Sequence, residues 1–79
     1  MKELLSYVAS LLVSDRERLS VTEHDAGNGK KFIISVAGHD AKNLIGKEGR
    51  TIKAIRSLVS MASINRGIKS KIPVEIVDE

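Results

Sequence analysis

A length of 79 residues, 42% apolar composition and a net charge of +3 suit one small globular domain near the lower size limit for a self-supporting core. With no cysteine, a disulfide framework and a cysteine-based zinc centre are both excluded. No run approaches the roughly 20 apolar residues of a membrane helix, and residues 1–13 lack the long apolar stretch and cleavage site of a secretion signal, so a soluble, cytoplasmic protein is expected.

The first element in chain order is a helix, drawn by the apolar stripe Leu4, Leu5, Val8, Leu11 and Leu12. Ser14-Asp15-Arg16-Glu17 breaks it. Leu19, Val21 and Glu23 then alternate with Ser20 and Thr22, the pattern of a half-exposed strand. Ala26-Gly27-Asn28-Gly29 reads as a turn. Phe32 to Val36 is almost continuously apolar and reads as a central strand that completes an antiparallel hairpin. Asp40 suits the N-cap of a short helix from Ala41 to Ile45. From Arg50 onward, Ile52, Ile55, Val59 and Ala62 mark one face of a longer helix. Asn65-Arg66-Gly67 is its stop, and Ile68 to Lys71 a short basic loop. Ile72 to Val77 is the last strand, with Pro73 acceptable at its start or on an edge. No repeat or linker interrupts this order, so a single domain over residues 1–79 is expected.

Between the second and third helices stands Leu-Ile-Gly-Lys-Glu-Gly-Arg-Thr-Ile-Lys-Ala-Ile, residues 44–55. Glycine has no Cβ, so its backbone approaches a sugar-phosphate chain closely and takes φ > 0 at little cost. A helix opening just after Gly49 offers unpaired N–H groups and the positive end of its dipole to a phosphate. Lys47, Arg50 and Lys53 add formal charge at the same place. The spacing alone is weak evidence. With 6 glycines in 79 residues, a Gly-x-x-Gly arises by chance about 0.4 times. The charge distribution strengthens it: residues 1–40 hold 5 Lys/Arg and 6 Asp/Glu, whereas eight basic residues between Lys42 and Lys71 face one acid, Glu48. A basic face centred on such a loop points to nucleic acid.

An aliphatic-Ile-Gly-x-x-Gly-x-x-Ile core between two helices, here Leu44, Ile45, Gly46, Gly49 and Ile52, resembles the signature of the KH domain. The order of elements resembles the type II KH arrangement, and the whole chain is similar to the small bacterial single-domain KH proteins of the KhpA type. The resemblance implies an α+β fold of order α-β-β-α-α-β, a three-stranded mixed sheet with its helices on one face. The last strand should return parallel to the second through a right-handed crossover.

The resemblance also implies a clamp that holds about four nucleotides of single-stranded RNA against an aliphatic groove, without aromatic stacking. Leu44, Ile45 and Ile52 would line the groove, with core packing the alternative for each, Ile52 especially. Gly46, Lys47, Glu48, Gly49, Arg50 and Lys53 would form the clamp, supported by Lys69 and Lys71. Glu48 is out of place there, since a carboxylate repels phosphate; it should face solvent or pair with a neighbouring lysine. Membership would imply post-transcriptional regulation or RNA chaperoning, without a cofactor. It would also imply association with a larger KH-containing protein of the KhpB/Jag type, while a homodimer is expected from the surface of the third helix. On a helical wheel Ala54, Leu58 and Met61 form a stripe beside the buried face of the third helix. That stripe is the expected partner surface, unless the first helix covers it.

Other chemistries find less support. The pairs His24-Asp25 and His39-Asp40 match no metal-ligand or acid–base spacing. Gly27-Asn28-Gly29-Lys30-Lys31 and Gly46-Lys47-Glu48 both depart from the phosphate-loop pattern of an NTPase. Tyr7 and Phe32 are the only aromatics, too few for a stacking platform. The rival reading is a KH-derived protein-interaction module with a vestigial RNA groove. Catalysis is not expected.

Overall fold

Alternation along the second strand decides where the core lies. The computed structural model describes residues 1–25, 29–67 and 72–78. In it, strand β1 (Ser20–Asp25) pairs antiparallel with β2 (Lys30–Val36), Val21 opposite Ile34. Strand β3 (Val74–Asp78) pairs parallel with β2, Phe32 opposite Val74, so the sheet order is β1-β2-β3. β2 is therefore central, as its apolar run implies. Phe32, Ile34 and Val36 are buried on one face, joined by Val21 and Val74. Lys31, Ile33 and Ser35 alternate with them and stay half-buried.

Helices α1 (Lys2–Leu12), α2 (Gly38–Ile45) and α3 (Arg50–Asn65) complete the expected order α-β-β-α-α-β. They supply Leu5, Ala9, Leu44, Ile52, Ile55 and Val59 to the same core. At 8 residues, α2 is far too short to persist alone. Burial of Leu44, worth roughly 2 kcal/mol for a leucine, helps tie it to the rest of the fold.

Several local expectations are corrected by the packing. In α1 the inward row is Leu5, Ala9 and then Val13, four apart, while Leu11 is 62% exposed. Asp40 is not an N-cap. The helix starts two residues earlier at Gly38, behind an extended Ala37 and with no side-chain cap. Asp40 sits inside the first turn, fully buried. Its Oδ1 accepts from the Ser14 N–H at 2.8 Å and the Ser14 hydroxyl at 2.9 Å, and its Oδ2 from the Asp15 N–H at 3.0 Å. The carboxylate thus chiefly satisfies the connection after α1; within its own helix it accepts only a longer bond, from the Asn43 amide at 3.4 Å. On α3, the inward position given to Ala62 belongs to Ser63, whose buried hydroxyl donates to the Val59 carbonyl at 2.7 Å. β3 begins at Val74, after Pro73, whose carbonyl accepts from the Phe32 N–H at 3.0 Å. Of the turn expected at Ala26-Gly27-Asn28-Gly29 the first three residues, and the basic loop from Ile68 to Lys71 entirely, lie outside the described residues. Among the described residues no helix is long and apolar enough to cross a membrane.

Candidate nucleic-acid interface

The chain leaves α2 through a turn in which three of four residues have positive φ: Gly46 at 77°, Glu48 at 57° and Gly49 at 74°. The Gly46 N–H donates back to the Lys42 carbonyl at 2.8 Å, and the Gly49 N–H donates to the Gly46 carbonyl at 3.2 Å, closing the turn. α3 starts at the next residue.

The two glycines are needed for different reasons. A Cβ at Gly46 would lie 2.7 Å from Thr51 Cβ and 2.9 Å from the Thr51 backbone nitrogen. Its φ of 77° with ψ of 174° also lies in a region essentially reserved for glycine. At Gly49 the nearest atom to such a Cβ is Ile52 Cγ2 at 3.9 Å, so only its left-handed φ resists substitution. Gly46→Ala should therefore cost roughly 3 kcal/mol or more, and Gly49→Ala about 1–2 kcal/mol. Urea unfolding of the two variants tests this, and equal losses would contradict the two roles.

Above the turn the electrostatics favour an anion. The first turn of α3 has no side-chain cap and no acidic residue; its Arg50 N–H donates to the Lys47 carbonyl, and the positive end of the helix dipole lies at the glycine turn. Lys47, Arg50 and Lys53 are exposed around it, with Lys42 on α2. Among the described residues Lys42, Lys47 and Lys53 have no ion-pair partner. Of the two expected placements Glu48 takes the solvent-facing one, its side chain 68% exposed, and its ion-pair partner is Arg50, Oε2 to Nη2 at 3.5 Å, in place of a lysine.

The aliphatic lining differs from expectation. Leu44 is fully buried and Ile52 is 8% exposed, both within the core, while Ile45 is 43% exposed beside Gly46. One step along a helix turns a side chain by about 100°, which takes Ile45 out to solvent where Leu44 points in. Toward β3, Arg56 Nη2 donates to the Val74 carbonyl at 3.3 Å. Arg56, Ser60, Ile72 and Pro73 line a hollow of about 280 Å³. Arg56 continues the i+3 spacing Arg50, Lys53, Arg56 along α3, a signal already present in the sequence. A second hollow, about 310 Å³, is lined by the start of α1, the hairpin, Arg66 after α3 and Ile72 before β3, none of them from the glycine turn. Its rim is largely self-paired, Lys30 with Glu23 and the Met1 amine with Glu3, each at 3.6 Å. Lys69 and Lys71 lie outside the described residues.

Neither His-Asp pair builds a catalytic relay. His39 Nε2 lies 3.2 Å from Ser14 Oγ and 3.5 Å from Asp40 Oδ2, so one ring nitrogen faces both groups, whereas a triad needs both nitrogens engaged. His24 Nε2 lies 3.3 Å from Thr22 Oγ1 on its own strand.

Residues 2–76 match the family model described as KhpA/KhpB, KH domain. The chain belongs to the KhpA/KhpB family of KH domains. It is similar to the RNA-binding protein KhpA of Halalkalibacterium halodurans, with 37% identity over 78 residues covering 99% of this chain and 100% of the relative. It is also similar to the RNA-binding protein KhpA of Chlamydia trachomatis, 42% identical over 80 aligned positions covering 100% of this chain and 99% of the relative. The RNA-binding protein KhpA of Thermotoga maritima is 40% identical over 60 residues, covering 76% of this chain and 80% of that relative. The α+β order with a three-stranded mixed sheet is accordingly a KH fold.

In this KhpA/KhpB-family chain the second helix of the KH unit, α3, has a further exposed face. Ile52, Ile55, Val59 and Ser63 are its buried row. Leu58 is 40% and Met61 56% exposed, with Ala54 exposed on the same stripe and Ile64 open nearby. Helix α1 does not cover these side chains.

Proposed function

We propose that this chain captures single-stranded RNA by gripping its backbone between the Gly46–Gly49 turn and the first turn of α3. The observation that carries the reading is the uncapped start of α3, fed by a turn of left-handed residues and ringed by Lys47, Arg50 and Lys53. Full-length relatives named RNA-binding protein KhpA support it. Phe32 is buried in the core and Tyr7 is a single exposed ring on α1, too little for a stacking platform, so backbone contacts and the open Ile45 surface carry recognition. The role is that of a post-transcriptional regulator or RNA chaperone, a single KH domain over residues 1–79 that binds without catalysis.

Three or four phosphate contacts among Lys47, Arg50, Lys53 and the basic loop should give a log affinity against log salt slope of roughly −2 to −3. Fluorescence anisotropy with a labelled single-stranded RNA over a salt series measures it. A flat response would favour the protein-interaction module with a vestigial groove.

The partner reading concerns the stripe Ala54, Leu58 and Met61, an apolar patch of the kind that mediates association. It would join two copies of this chain, or one copy and a larger KH-containing protein of the KhpB/Jag type. The family model is named for both KhpA and KhpB. Pairing two weak clamps on one particle would raise avidity. Leu58→Glu should yield a folded monomer with weaker RNA binding, read by sedimentation and anisotropy. A parent chain that sediments as a monomer at high micromolar concentration would exclude self-association and leave the heterologous partner.

A further inference from the structure

Glu48 is the one non-glycine among the described residues with positive φ. Glycine or asparagine adopts that conformation at lower cost. Its side chain is 68% exposed, so packing does not require a glutamate. Its one polar partner among the described residues is Arg50, itself 76% exposed at 3.5 Å. The strain and the ion pair bring the fold little, since exposed pairs contribute weakly. Both features sit on the turn assigned to phosphate. Strain that stability does not explain directs attention to function.

We propose that Glu48 is a built-in competitor for phosphate. Its carboxylate occupies the Arg50 guanidinium in the manner of an RNA phosphodiester, so Arg50 engages RNA by exchanging one anion for another. The inference rests on the RNA-clamp reading above. Carboxylate and phosphate oxygens accept hydrogen bonds from the same guanidinium fork, which makes the two anions interchangeable at this position. Two consequences follow from the exchange. Affinity for a polynucleotide backbone is held below what the cation count implies. Arg50 also adds little to the salt dependence, because its contact displaces a tethered carboxylate rather than a condensed counterion, so the parent slope belongs at the shallow end of the expected range, about −2.

The experiment is anisotropy titration of the full chain against a fluorescein-labelled, mixed-sequence single-stranded RNA over a salt series. The variants are Glu48→Gln, Glu48→Gly, Arg50→Gln and the double Glu48→Gln/Arg50→Gln. Glu48→Gln should tighten binding roughly three- to fivefold at low salt and steepen the slope by about 0.7, one single-strand phosphate contact. Glu48→Gly should match it despite also relieving the left-handed strain. In the Arg50→Gln background, Glu48→Gln should leave the slope unchanged. If the parent binds with the expected slope and Glu48→Gln alters neither affinity nor slope, the competitor is overturned while the clamp stands. Tightening by Glu48→Gly alone overturns it too, since strain and not charge would then set affinity. A parent that fails to bind this RNA at low salt overturns both readings together.

Discussion

A chain carrying Lys47→Asp and Glu48→Asp is expected to lose measurable binding to single-stranded RNA and to remain folded. Lys47 is exposed at the centre of the turn and unpaired among the described residues, so reversing its sign replaces an attraction to phosphate by a repulsion. Each such interaction is worth about 1 kcal/mol at 4 Å in water and more where the ligand excludes solvent. For a single KH clamp of modest affinity, that loss moves binding out of range. The fold should be indifferent. Both side chains are exposed, and aspartate accepts the left-handed φ of 57° at position 48 at least as readily as glutamate. Thermal or urea unfolding should therefore shift by less than about 1 kcal/mol. A folded double variant that binds RNA as tightly as the parent would sink the clamp.

Asp40 is where the largest loss of stability is expected. Its carboxylate is fully buried and serves two backbone N–H groups and a hydroxyl of the α1–β1 connection. Asp40→Ala strands the Ser14 and Asp15 amides in a partly buried site, which should lower the melting temperature by roughly 10 °C for a domain of this size. The same contacts predict an acid response. The Ser14 N–H above all holds the Asp40 carboxyl down at about 2 against the effect of burial, with the Asp15 N–H and the Ser14 hydroxyl adding to it; its ordinary value is 3.8. Because the folded value lies below the unfolded one, this contribution is complete above pH ~4 and is lost as the pH falls toward about 2. Melting curves through that window should show the parent losing stability that Asp40→Asn has already forfeited at neutral pH. Parallel pH profiles for parent and variant would show that the carboxylate is not the group responsible.

The sequence by itself determined the features that depend on near neighbours. The period of Ile52, Ile55 and Val59 set α3, the apolar run to Val36 made β2 central, and paired glycines with surrounding lysines and arginine located the candidate clamp. Each of these signals lies within a few residues of what it specifies: a helical face, a left-handed turn, a local charge. Tertiary structure alone decided the rest. Asp40 carries a sound local capping signal at the wrong position, because its partners lie 25 and 26 residues away and burial makes their amides the more demanding acceptor-seekers. Leu44 and Ile45 look equivalent in sequence, yet one closes the core and the other opens to solvent, according to where α2 lies against its neighbours. Arg56 reaches the Val74 carbonyl across 18 residues. Periodicity and composition are properties of a segment; which side of that segment meets another, and which polar atoms are thereby cut off from water, is settled only when distant segments pack.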